Sequence, residues 1–163
     1  MQQTVYLSLG SNVGNRGDSL REAIARLDAA GRVVSVSSFY ETEPVEFPAE
    51  VKDQPWFLNC AVKLDTTLTP EQLMQTALQI ERQMGRIRKE IKGKRNIDID
   101  ILLFGEAVIG SPELTIPHPA MHERRFVLEP LAEIAPDAWH PVLKKSVEEL
   151  LKELPAGQVV KKI

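Results

Sequence analysis

Cysteine is all but missing from this chain. Cys60 is the single thiol, so no internal disulfide can form, and Met1-Gln2-Gln3 leads directly into a strand pattern with nothing that resembles a signal peptide. Cytoplasmic residence is the expectation. No apolar run approaches the roughly 20 residues that a membrane-spanning helix needs, so no membrane partner is expected. An excess of positive charge is lacking too: 20 Lys and Arg stand against 23 Asp and Glu, for a net charge of −3 and a pI near 5.7. That balance argues against general nucleic-acid binding. His118, His122 and His140 are scattered and have no paired His or Cys neighbours, so no zinc site is suggested, and they rank as surface or turn residues. Neither a GxxxxGK[ST] nor a GxGxxG loop occurs, and there are no internal repeats or low-complexity tracts. What remains is 163 residues, 43% of them hydrophobic, enough for one well-packed domain over residues 1–163 and short for two.

The most informative stretch runs from Gly85 to Leu103, GRIRKEIKGKRNIDIDILL. Asn96, Asp98 and Asp100 alternate with Ile97, Ile99 and Ile101, a period of two that predicts a strand with one polar and one apolar face. The two aspartates therefore share a face, their Cα atoms roughly 6–7 Å apart. Two explanations fit the pair: the wet face of a half-buried strand, or a divalent cation, since Mg²⁺ is held by one or two carboxylates together with water and substrate phosphates. Just upstream, residues 82–95 hold seven Lys or Arg and one acid, Glu90. A local cationic excess in an acidic chain points to an anionic ligand. Cations that clamp phosphates beside carboxylates that hold a metal are what phosphoryl-type transfer requires.

Taken in order, Val5, Leu7 and Leu9 predict a first strand, followed by a turn at residues 10–15 that connects it to a helix. Ser19 with Glu22 fits a capping box for that helix, and Leu20, Ala23, Ile24 and Leu27 form its apolar stripe up to Gly31. Residues 33–40 predict a second strand and residues 41–55 a long loop. A third strand, residues 56–64, carries Leu58, Cys60, Val62 and Leu64 on its core face. Its other face carries Phe57 and Asn59, an aromatic plate and a carboxamide that suit a flat heteroaromatic ligand, though an edge-of-core Phe and a turn-forming Asn fit equally. Thr69, Pro70 and Gln72 predict the start of a second helix, which continues through Leu73, Ala77, Ile80 and Met84 and closes at Gly85. The order βαββαβ predicts an α+β, ferredoxin-like core: an antiparallel sheet with helices packed on one face. A hairpin extension at residues 104–109, a rigid Pro117-His118-Pro119 corner, a short helix at residues 128–135 and a last helix capped by Ser146 with Glu149 complete the chain. His118, fixed between prolines near Arg124, suits a hydrogen bond to phosphate.

Gly10-Ser11-Asn12, Ser38-Phe39-Tyr40, Phe57-Leu58-Asn59, Glu81, Gly85-Arg86-x-Arg88, Arg95-x-x-Asp98-Ile99-Asp100-Ile101-Leu102, Pro117-His118 and Arg124-x-Phe126 occur in the order seen in the 6-hydroxymethyl-7,8-dihydropterin pyrophosphokinase family, which the chain resembles over roughly residues 4–137. The resemblance implies transfer of pyrophosphate from ATP to the pterin hydroxymethyl group, a step of folate synthesis that yields AMP. It implies that Asp98 and Asp100 hold two Mg²⁺ ions and that Phe57 and Phe126 sandwich the pterin. By the same resemblance Asn59 bonds the pterin edge, and Thr42 and Val45 complete the pocket. Arg86 and Arg95 would act on the phosphates, and Glu81, Arg88, Ile101, Thr115, His118 and Arg124 would line the ATP site. The loops 43–54 and 85–95 would close over the reactants, in an enzyme that is monomeric.

Lys92, Lys94, Glu113 and Pro119 depart from residues often found in that family, so the lid and one side of the ATP site are where its pattern fits least. Two rival expectations stand beside it. A metal-dependent nucleotidyltransferase also combines Gly-Ser with Asp-x-Asp, but Gly10 lies far upstream of Asp98. A ferredoxin-like RNA-binding module would present an aromatic K/R-G-F/Y strand, which is missing.

Overall fold

A computed structural model describes residues 1–44, 55–85 and 97–163. At its centre lies β1 (Gln3–Ser11), whose Val5, Leu7 and Leu9 are wholly buried. One side of β1 pairs with β4 (Phe57–Thr66) and the other with β5 (Asp98–Phe104), both antiparallel. Outside β4 lie β2 (Arg32–Val36) and β3 (Tyr40–Thr42), and β10 (Val160–Lys162) extends the sheet beyond β3. The order β5-β1-β4-β2/β3 with all neighbours antiparallel is the ferredoxin-like arrangement expected from βαββαβ.

Helix α1 (Arg16–Arg26) and helix α2 (Pro70–Gln83) cover one face of this sheet. Leu20, Ala23, Leu73, Ala77 and Ile80 meet the strand residues Leu7, Leu9, Leu58, Cys60, Ile99 and Ile101 in one buried cluster. Each fully buried Leu or Ile there contributes about 2 kcal/mol of hydrophobic stabilisation. Thr69 and Gln72 form the reciprocal capping box that starts α2, with Pro70 at its first position. Cys60 sits inside this cluster, and burial pushes its thiol up to about 12.

The second face is covered as well, by the C-terminal helices, for which the sequence suggested no face. Helix α3 (Arg125–Ile134) and helix α4 (Val147–Glu153) pack Val127, Leu128, Leu131, Val147 and Leu150 against Ala61, Leu102 and Leu103. The predicted last helix has the expected Ser146–Glu149 capping box. Ala61, which alternation puts on the same strand face as Phe57 and Asn59, is buried under α3.

Several local expectations are corrected. The cap of α1 is Asn15, whose side chain accepts the Asp18 N–H at 3.0 Å, so the helix begins a turn before Ser19. The second strand is broken into β2 and β3, because Ser37 replaces a backbone partner: its hydroxyl accepts the Ala61 N–H at 2.9 Å. Three residues, 37–39, there face two on β4, the signature of a bulge. Helix α3 starts three residues earlier than residue 128, which brings Phe126 into its first turn. The hairpin is a separate ribbon of β6 (Ile109–Gly110) and β7 (Thr115–Ile116), set off by Gly105 at φ +52°. His140 is buried; its Nδ1 accepts the N–H groups of Val142 and Leu143 and so holds the turn of the ribbon of β8 (Trp139–His140) and β9 (Lys145–Ser146). Among the described residues no helix is long and apolar enough to cross a membrane.

Candidate functional site

Strand register brings the sequence-predicted residues together. Asp98 lies opposite Gly10, Gly10 opposite Asn59, and Asn59 opposite Tyr40, so these four form one row across the sheet. Directly paired residues point to the same face, and alternation adds Asp100, Ser8, Phe57 and Thr42 to it. The carboxylates and the aromatic-amide pair thus share the α3-covered face. Two strand spacings of about 4.8 Å separate the Asp98 and Asn59 backbones, about 10 Å in all. The strand between them presents only Gly10 and Ser8. A Cβ at Gly10 would collide with the Asn59 Oδ1 and lie 3.8 Å from the Phe57 ring, so this floor requires glycine.

At the amide end, the Asn59 Nδ2 donates to the Thr42 Oγ1 at 2.6 Å, and both side chains are buried. Phe57, partly exposed, lies opposite Thr42 in the register. Phe126 stands on α3, half-buried, with the Arg124 guanidinium 5.4 Å from its ring centroid, within cation–π range.

At the carboxylate end, β5 is an edge strand, and its outer backbone groups are taken up by other parts of the chain. The Glu81 Oε2 accepts the Ile99 N–H at 2.7 Å from beneath, and the His118 N–H donates to the Leu102 carbonyl at 3.0 Å. Glu81 is therefore buried against the strand that carries Asp98 and Asp100. The His118 Nδ1 accepts the Ala120 N–H at 3.1 Å, which places the proton of the neutral ring on Nε2. Burial, then the charge of Arg124, lowers the His118 pKa below its usual value, against an opposing pull from Asp98. At neutral pH the ring is a neutral donor. A cavity of about 330 Å³ opens here, and Asp100, Ile101, Thr115 and His118 line it with Met74, Leu78 and Ile99. Glu113 and Pro119, two of the departures from the family pattern, line it as well.

A second cavity, of about 650 Å³, is lined by Asn12, Gly14, Arg16, Glu41, Pro55, Trp56 and Lys161. Two residues of the turn at 10–15 thus face a cavity. The side chain of Glu41 alternates with that of Thr42, so this cavity lies off the row. Val45, Arg86, Arg88 and Arg95 lie outside the described residues, as do the expected closing loops 43–54 and 85–95 apart from residues 43, 44 and 85.

Two contributors had no sequence signal. Glu133 of α3 accepts hydrogen bonds from the Tyr40 hydroxyl at 2.6 Å and from the N–H and hydroxyl of Ser38, tying α3 to β3. Burial raises the Tyr40 pKa, and the Glu133 carboxylate raises it further. Gln158 bonds both Phe126 and Glu43. Glu133 lies 93 and 95 residues from its partners, and Gln158 lies 32 and 115 from its own, separations that no local pattern reveals.

A family model described as 7,8-dihydro-6-hydroxymethylpterin-pyrophosphokinase (HPPK) matches residues 6–136. The chain is 48% identical over 136 residues to the 2-amino-4-hydroxy-6-hydroxymethyldihydropteridine pyrophosphokinase of Bacillus subtilis, covering 82% of this chain and 79% of that one. It is 44% identical over 155 residues to the protein of the same name from Methylorubrum extorquens, covering 93% and 94%. The folic acid synthesis protein fol1 of Schizosaccharomyces pombe is 42% identical over 153 residues, 93% of this chain but 20% of that protein. The chain thus spans about a fifth of the length of that relative. In fold it resembles a Plasmodium falciparum HPPK-DHPS structure with pteroate, at a TM-score of 0.72 and 16% identity, over 94% of this chain and 42% of that one. These similarities favour the pyrophosphokinase family over the nucleotidyltransferase and RNA-binding alternatives.

Proposed function

Since the chain belongs to the 7,8-dihydro-6-hydroxymethylpterin-pyrophosphokinase family, we propose that it transfers the pyrophosphoryl group of ATP to the hydroxymethyl oxygen of 6-hydroxymethyl-7,8-dihydropterin. The products are AMP and the pterin diphosphate. The observation that carries this is the shared row: Asp98 and Asn59 on one sheet face, about 10 Å apart across the bare Gly10. That span suits a ring at one end and a metal-bound triphosphate at the other. Phe57 and Phe126 stack the pterin, while Asn59, Thr42 and Val45 bond and enclose its edge.

Asp98 and Asp100 fit two Mg²⁺ ions: two carboxylates on one face with open space beside Asp100 leave coordination sites for phosphate oxygens and water. Held by Asp98 and Asp100, such ions would supply neutralisation of phosphate charge. His118 donates from Nε2 to a phosphate oxygen, and Thr115, Ile101, Arg88 and Arg124 line the ATP path. Glu81 serves that path by fixing β5. Arg86 and Arg95 stabilise the charge that moves as AMP departs, so they contribute more to kcat than to ground-state binding. Residues 1–163 act as one domain, as a cytoplasmic monomer.

Chromatography after incubation with ATP, Mg²⁺ and the dihydropterin tests this. AMP and pterin diphosphate in equal amounts, without ADP, are expected. ADP would indicate attack at the γ-phosphorus, and no nucleotide turnover would refute the assignment.

A further inference from the structure

We propose that Gln158, in the tail beyond α4, is a positioning residue that sets the width of the pterin pocket. This rests on the pterin site described above and adds to it a part of the chain lying beyond the matched residues 6–136. Phe126 occupies the first turn of α3, where a backbone N–H has no partner within the helix. The Gln158 Oε1 accepts that N–H at 3.2 Å. On its other side, the Gln158 Nε2 donates at 2.8 Å to the carbonyl of Glu43, the residue after Thr42. One planar amide therefore spans the two walls, the helix turn that bears Phe126 and the strand end that bears Thr42.

The neighbouring contacts keep that amide in place. The Glu43 N–H donates to the Val159 carbonyl at 3.1 Å, and the Val159 N–H donates to the Glu43 carboxylate at 2.8 Å. From there β10 pairs with β3, Val160 opposite Thr42 and Lys162 opposite Tyr40. The tail is thus registered on the strand that supports Thr42 and Asn59. The bridging position needs one donor and one acceptor on the same short group, which glutamine supplies. Glutamate there would aim a carboxylate at the Glu43 carbonyl, and alanine would leave both backbone groups without this partner.

The test has two readouts on the full chain, comparing wild type with Gln158→Ala and Gln158→Glu. Amide hydrogen exchange without substrates should show the Phe126 N–H exchanging faster in Gln158→Ala, while amides in β1 and β4 keep their protection. Steady-state kinetics should then show the pterin KM raised roughly three- to tenfold, the loss of about one hydrogen bond, with the KM for ATP unchanged. An unchanged pterin KM in an active variant overturns the proposal. So does a fall in both affinities together with general loss of protection, which would mark Gln158 as merely structural. If wild type neither binds nor turns over the pterin, the site assignment fails first, and the exchange result stands apart from it.

Discussion

The amide end of the site lies on inner strands and is closed by protein–protein hydrogen bonds, whereas the carboxylate end lies on an edge strand beside an open cavity. Asn59 and Thr42 are buried and bonded to each other; Asp98 and Asp100 are only half-buried, on a strand whose backbone is held from outside by Glu81 and His118. The residues proposed to recognise the ring are therefore part of the core, and changes there should cost binding and stability together. The carboxylates bring like charges side by side at the rim, a repulsion that a bound cation relieves. Changes there should cost turnover alone.

The largest expected effect comes from Asp98→Asn or Asp100→Asn. Metal-mediated charge stabilisation is worth several kcal/mol, so kcat should fall by about a thousandfold or more. Removal of one of two clustered charges should leave the metal-free thermal midpoint unchanged or higher. A midpoint several degrees lower would erase the contrast between the two ends. Next, Gly10→Ala drives a methyl group into the Asn59 carboxamide. Overpacking of this kind costs about 1–3 kcal/mol of stability, and calorimetry should show pterin affinity down about tenfold with ATP affinity kept. An equal loss for both substrates would mean that the ends are not separable.

The smallest effect concerns pH. Burial opposes the Glu133 charge, but the Tyr40 hydroxyl, the two Ser38 donors and Lys162 outweigh it and hold the carboxyl below its ordinary value of 4.5. A depressed folded-state pKa adds stability that is whole above the unfolded value and is lost as pH falls through the folded one. Urea titrations from pH 6 down to pH 3 should therefore show a shallower acid-side loss in Glu133→Gln than in wild type. Equal slopes would remove Glu133 from the link between α3 and β3.

Much of this was legible in the residues. Period-two alternation located β1, β4 and β5 and put Asp98 with Asp100 and Phe57 with Asn59, because a half-buried strand writes its faces into its sequence. Capping chemistry located α2 and α4 for the same local reason. What was not legible depends on partners distant in sequence. The bulge between β2 and β3 turns on the Ser37 hydroxyl meeting Ala61. Covering of the second sheet face depends on α3 reaching β4, and the roles of Glu133 and Gln158 depend on strand pairing by the tail. Ser19 with Glu22 has the pattern of a capping box, yet the cap that the structure shows is Asn15, whose side chain meets the Asp18 N–H. Resemblance implies that Glu81 lines the ATP site, and the hydrogen bond from the Ile99 N–H to its Oε2 is a contact that sequence does not reveal.

The central claim is that ring and metal sites share one sheet face across Gly10. Paramagnetic broadening tests it most directly: Mn²⁺ replaces Mg²⁺, a non-hydrolysable ATP analogue is bound, and the proton signals of bound dihydropterin are followed. Two strand spacings put the Asp98 and Asn59 backbones about 10 Å apart, so strong broadening is predicted, abolished in the Asp98→Asn/Asp100→Asn double variant. Sharp pterin signals with both ligands bound, or broadening that survives the double variant, would contradict it.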